Sequence, residues 1–156
     1  MIQRIQTVYF IIVMLLLSAL LSGVEIFGFT ANKGYFAYSV YGVQFAKTAQ
    51  GKVENIQGSV LFYFVILFVL FIYYAMMSYK NLKKQFRLAR LVFWIYAAGL
   101  IAILVTASLG VLVPSAVGVQ LGIGYYMAVV GLPFTYFALK GVQKDKEILE
   151  SLDRLR

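Results

Sequence analysis

The chain contains no cysteine and no histidine. Without cysteine there is no disulfide, no thiolate metal site, no iron–sulfur cluster and no thiol nucleophile. Without histidine the usual haem and zinc ligand is missing, and so is the side chain that titrates near neutral pH. Acids are scarce as well: six in 156 residues, four of them at or beyond Asp145. That leaves little material for paired-carboxylate chemistry or a carboxylate metal site. The expectation is a protein that is not an enzyme and that carries no cofactor and no catalytic or metal-binding residue.

What remains is apolar. Hydrophobic residues make up 62% and charged residues 13%, against roughly half and roughly one quarter in average globular chains. The mean hydropathy is +0.85. Uncharged runs cover Ile5–Val24, Asn55–Tyr79 and Leu91–Leu139. The first, as a helix at 1.5 Å per residue, is ~30 Å long, the thickness of a bilayer core. A secretory signal peptide centred on Val8–Leu21 is the rival for this run, but its apolar centre is long for one. The third run would be ~73 Å as one helix and must fold back. Pro114, with Gly110 before it and Ser115 and Gly118 after it, marks the turn. The chain therefore reads as one all-α integral membrane domain over 1–156, a four-transmembrane-helix bundle. Its spans are about 5–28, 56–79, 91–113 and 119–139, with a kink at Pro133. The tail 140–156 has Ile148, Leu149, Leu152 and Leu155 at helical spacing and reads as an amphipathic helix.

Between the first two spans lies the longest polar segment, Thr30–Asn55. Tyr35–Tyr41 and Val43–Phe45 are rich in β-formers, and Gly42 is a turn candidate. They predict a small β-hairpin or short sheet outside the membrane, with an ordinary ordered loop as the alternative. Glu25, at the end of the first span, is expected to reach the headgroup region.

Charge sets the expected orientation. Lys80, Lys83, Lys84, Arg87 and Arg90 fall within eleven residues that hold no acid. With Arg4 and the five basic residues of the tail they total eleven on one side, against Lys33, Lys47 and Lys52 on the other. The positive-inside rule puts both termini and the 80–90 segment in the cytoplasm. The five basic residues of that segment are candidates for contact with anionic lipid headgroups or an acidic partner. Nucleic acid is not an expected partner, because the aromatic platform it favours is reduced to Phe86.

Small residues recur at four-residue spacing. Ala98, Ala102, Thr106 and Gly110 form one ridge, and Gly118 with Gly122 opens the last span; both suit close helix packing. Thr106 and Ser108 are expected to bond their own backbone. No Asp, Glu, Lys or Arg falls in the middle of a predicted span, which weakens a transporter reading.

Three segments carry a resemblance: Met1-Ile-Gln-Arg-Ile-Gln-Thr-Val-Tyr9, Tyr79-Lys-Asn-Leu-Lys-Lys-Gln-Phe-Arg-Leu88 and Ser151-Leu-Asp-Arg-Leu-Arg156. They resemble the domain of unknown function 4293 family, small four-span inner-membrane proteins of the Bacteroidota. The resemblance implies a bacterial inner-membrane location and supplies no activity. All three segments are cytoplasmic in the expected topology. Gln3, Arg4 and Gln6 are therefore expected to pack against the 80–90 loop and the tail, which brings Asp153, Arg154 and Arg156, with Asp153 pairing a nearby Arg such as Arg4 or Arg87. The functional expectation is an accessory or scaffolding subunit that docks other inner-membrane proteins through this face. The alternative is a transporter or binding protein for a small molecule or lipid.

Overall fold

The computed structural model describes residues 5–31, 34–46, 54–58, 60–110, 112 and 116–154. In chain order these form helix α1 (Ile5–Leu20), strands β1 (Phe27–Ala31), β2 (Gly34–Ser39), β3 (Gly42–Ala46) and β4 (Glu54–Gly58), helix α2 (Leu61–Met77), a 3-10 turn (Ser78–Lys80), helix α3 (Leu82–Ser108), strand β5 (Ala116–Leu121) and helix α4 (Ile123–Arg154).

The all-α expectation is overturned by a five-stranded antiparallel sheet of order β4-β3-β2-β1-β5. Residues 27–28, 56–58 and 119–121, expected to be helical, lie in β1, β4 and β5. The four-span bundle fails with it. Among the described helices, only α2 with its 3-10 turn (Leu61–Lys80) and α3 are long and apolar enough to cross a membrane. α1 has 16 residues, and α4 becomes charged from Lys140 onward. The physical reason is periodicity. An uncharged run is compatible with a strand as well as a helix, and Val117, Val119 and Leu121 alternate with Gly118 and Gln120.

Local chemistry sets the boundaries. Gly23, at φ +85°, takes the left-handed conformation that stops α1, and Gly110, at φ +68°, does the same after α3. At the start of α3, the Asn81 side chain accepts a hydrogen bond from Lys84 N (3.1 Å), which satisfies one of the free first-turn donors. The expected hairpin is the β2–β3 pair, joined through Val40 and Tyr41; it forms the middle of the sheet rather than an isolated ribbon. Pro133 lies inside α4, which continues past it into the charged tail as one helix.

Opposed residues in an antiparallel pair share a face. Register pairs Phe27 with Tyr38 and Leu121, and Phe29 with Phe36 and Val119. This is the apolar face of the sheet, with Phe27 and Phe29 fully buried. It packs on the helix ends: Phe27 lies 5.3 Å from Tyr125 of α4, and Tyr41 lies 5.3 Å from Phe62 of α2. The helices then run away from the sheet. α4 packs along α1 and α3, and α2 packs along the same two helices. Aromatic pairs bridge each of these junctions that involves α3 or α4. Phe68 meets Tyr96 at 5.9 Å, Phe93 meets Tyr136 at 6.0 Å, and Tyr9 meets Phe137 at 5.6 Å. Such pairs add ~0.5–1.5 kcal/mol each beyond their area, which gives the heavy Tyr and Phe usage a packing role.

The molecule thus has two ends. One is the sheet. At the other, Gln6 of α1 faces Gly141 of α4, and Lys146 of α4 lies over Phe86 of α3 at 5.1 Å. The apolar surfaces of α2 and α3 point outward: only 22% and 17% of their most apolar stretches is buried. That separates them from the core helices of an ordinary globular protein.

Candidate functional site

The basic end is built on α3. Its buried residues, Gln85, Ala89, Val92 and Tyr96, recur at helical spacing and define the inward face. At 100° per residue, Lys83, Arg87 and Arg90 fall roughly opposite that face, with Lys84 beside them. All five predicted basic residues, Lys80 included, are exposed. Lys84 is anchored: its Nζ donates to Tyr74 Oη of α2 at 2.5 Å and lies over the same ring. Arg90 lies over Phe86 at 4.9 Å. Two of the five cationic heads, Lys84 and Arg90, are thus held against aromatic rings, while Lys83 and Arg87 face away from the buried side of α3.

Beside it, a groove of about 700 Å³ opens between the start of α1, the first residue of α3 and the second half of α4. Ile5, Tyr9, Leu82, Phe137, Ile148 and Leu149 give it apolar walls; Gln6, Lys140, Lys144 and Asp145 are its polar lining. Gln6 is buried, and neither amide atom has a hydrogen-bond partner. Gln85, also buried, has an unpartnered Oε1. Such groups normally find a partner, since leaving one buried and unpaired costs ~1–3 kcal/mol.

At the sheet end, Glu25 sits on the connection from α1 to β1. The Tyr35 hydroxyl of β2 donates to Glu25 Oε1, across Gly28, where any side chain would occupy the same space. Glu25 O accepts from Gly124 N at 2.8 Å, and Ile26 O accepts from Gly122 N at 2.9 Å. These contacts lock the start of α4 to the start of β1. The Tyr35 hydroxyl is pushed up to about 12, first by burial and then by the hydrogen bond to Glu25 and its charge. The folded protein therefore holds this proton more tightly than the unfolded chain, where the value is 10.0. The resulting stabilisation is complete below pH 10 and is lost as the pH rises towards 12. Ultraviolet difference titration against Tyr35→Phe should place this phenol near pH 12, and Glu25→Gln should lower it while burial still holds it above 10.

Between the ends lies an apolar cavity of about 80 Å³, lined by residues such as Leu17, Val40, Phe64, Phe68, Tyr96 and Ala128. Among the described residues no three acids come together to hold a metal ion.

The family model described as Domain of unknown function (DUF4293) matches residues 2–155. The chain belongs to this family. No curated protein matches it. Family membership thus spans both ends of the molecule and assigns no residue a role, so roles come from geometry.

The structure distributes the predicted residues unevenly. Of the predicted cytoplasmic cluster, only Gln6 can be placed. Gln3, Arg4 and Arg156, and the side chains of Asp153 and Arg154, lie outside the described residues. On the small-residue ridge, Ala98 and Ala102 are exposed. Thr106 and Ser108 donate to Ile103 O and Leu104 O of their own helix at 2.9 and 2.8 Å, and Gly110 ends that helix. Gly118 lies beside Thr30 in the sheet, and Gly122 abuts the backbone of Glu25. Sequence reasoning missed the groove and the Glu25–Tyr35 pair. The one available signal for the groove was a glutamine, Gln6, inside an apolar helix.

Proposed function

We propose that this protein is a non-enzymatic accessory subunit of a bacterial inner-membrane assembly. In this reading α2 and α3 cross the membrane, with α1 and α4 packed along them; the sheet lies outside, and the basic end lies in the cytoplasm. The orientation is supported by the positive-inside rule, because the five basic residues of 80–90 gather at one end of the molecule. The docking role rests on a single observation: Lys83, Arg87 and Arg90 are exposed opposite the buried face of α3, with Lys80 and Lys84 exposed beside them and no acid in that segment. An acidic surface of a neighbouring protein is its natural complement, and such charge pairing steers and orients association.

The test compares the wild type with a Lys83→Gln, Arg87→Gln, Arg90→Gln variant, both purified in mild detergent at low salt. Quantitative mass spectrometry should find an inner-membrane protein stoichiometric with the wild type and depleted at least tenfold in the variant. The same protein should be released from the wild type by high salt, since exposed charges are screened. Migration of the wild type as a free monomer or homodimer would refute the reading. The apolar cavity between the helices favours a second function, binding of a small apolar molecule or lipid tail.

A further inference from the structure

We infer that the groove beside α1 is a binding site for one anionic phospholipid, taken up from the cytoplasmic leaflet. The inference rests on the membrane placement proposed above but not on the docking role of the basic stripe.

Several independent features converge on this chemistry. Lys140 and Lys144 are exposed on the groove. Lys144 has no hydrogen bond or ion pair among the described residues, and Lys140 leans only on the Tyr136 ring at 5.8 Å. The other charged group in the lining, Asp145, already has an interaction of its own. The remaining acids with described side chains on this part of α4 are bound along the helix: Glu147 to Gln143 at 2.9 Å and Glu150 to Lys146 at 3.6 Å. The groove therefore offers two available cations.

Its polar floor is Gln6, buried with both amide atoms unpartnered. Gly141 is what lets α1 approach so closely: a Cβ there would lie 3.0 Å from Gln6 Cβ. Both amide atoms are covered in the lipid-free protein; once uncovered by a headgroup, the two N–H donors would suit phosphate oxygens and the carbonyl a headgroup hydroxyl. Leu82, the first residue of α3, also lines the groove, so the positive end of that helix adds to the field.

The walls call for an amphiphile rather than a bare anion. Tyr9 and Phe137 pack at 5.6 Å with their rings tilted, and they line the groove with Ile5. They continue from the polar floor towards the uncharged part of α4, which ends at Lys140. A phosphodiester between the two lysines and Gln6 would leave its acyl chains against these rings, at the level where a membrane changes from headgroup to hydrocarbon.

The experiment uses the full chain in detergent, delipidated and then titrated with phosphatidylglycerol or phosphatidylcholine, with bound lipid counted by native mass spectrometry. One phosphatidylglycerol per chain should be retained, with at least tenfold preference over phosphatidylcholine. Lys140→Gln with Lys144→Gln should weaken retention at least tenfold, and Gln6→Leu should weaken it while raising the melting temperature of the lipid-free protein. Lys146→Gln removes a like charge from the same helix outside the groove and should leave retention unchanged. Circular dichroism checks that each variant is folded.

Equal retention of both lipids, or unchanged retention in the double-lysine variant, would overturn the proposal. So would displacement by millimolar inorganic phosphate, which would identify the groove as a site for a free anion. Alkaline carbonate extraction of native membranes separates the two levels. Release of the chain would sink the membrane placement, whereas a chain that stays in the membrane but retains no phosphatidylglycerol would sink only the lipid site.

Discussion

Gly122→Ala should destabilise the protein by about 3 kcal/mol or more, although it adds one methyl group. At this position a Cβ would run into the carbonyl oxygen and carbon of Glu25. Both belong to the backbone, so no rotamer change can relieve the contact, and forced overpacking costs ~1–3 kcal/mol. The same carbonyl accepts from Gly124 N, and Gly122 N donates to Ile26 O. Pushing the strands apart also threatens these bonds, at ~1–3 kcal/mol for each buried group left unpaired. Gly99→Ala supplies the contrast. There the nearest atom is Phe64 Cε1 at 3.9 Å, an ordinary contact, and Gly to Ala inside a helix is worth up to ~1 kcal/mol. Thermal or guanidinium unfolding in one detergent should therefore shift in opposite directions for the two variants. Equal small effects would mean that β1 and the start of α4 do not meet as described.

That junction also explains which features were legible in the sequence. Composition exposed the apolar surfaces of α2 and α3, because long runs without charge survive any local detail. The basic segment was legible for the same reason: five like charges in eleven residues cannot be buried. The sheet was only partly legible. Tyr35–Phe45 announced β2 and β3 through β-branched and aromatic residues around Gly42. β1 and β5 were hidden inside runs that contain no charge, where helix and strand look alike to a hydropathy count. Their period of two, Phe27/Phe29 and Val117/Val119/Leu121, was present but short. What decides it is long-range: β1 pairs with β5 across some ninety residues of sequence, and nothing local to either strand encodes that partnership. The Glu25–Tyr35 contact and the groove share this character. Gln6 stands out as a glutamine inside an apolar helix, but Gly141 is unremarkable until folding sets the two together, and only then does an unpaired amide on a groove with two lysines become visible.

Phe29→Ala should cost about 3–5 kcal/mol, while Val119→Ala, in the same cross-strand row, should cost less than about 1 kcal/mol. The two residues are directly opposed on β1 and β5, so their backbone setting and their face of the sheet are shared. They differ in cover. Phe29 is 0% exposed and Val119 is 45% exposed. Removing the Phe29 ring leaves a cavity beside Phe27, whose ring lies 6.3 Å away, and Phe27 in turn rests on Tyr125 of α4. The loss therefore spreads into the sheet–helix contact, and Phe27→Ala should be about as severe. Val119 and Leu121 sit where the apolar face continues past the helices that cover it, and their truncation gives up contacts that are already half open. Unfolding midpoints for the four alanine variants should fall into two groups, Phe27 with Phe29 and Val119 with Leu121. Grouping by strand pair instead, with Val119 as costly as Phe29, would mean that β5 is covered and that the apolar face is closed on both sides.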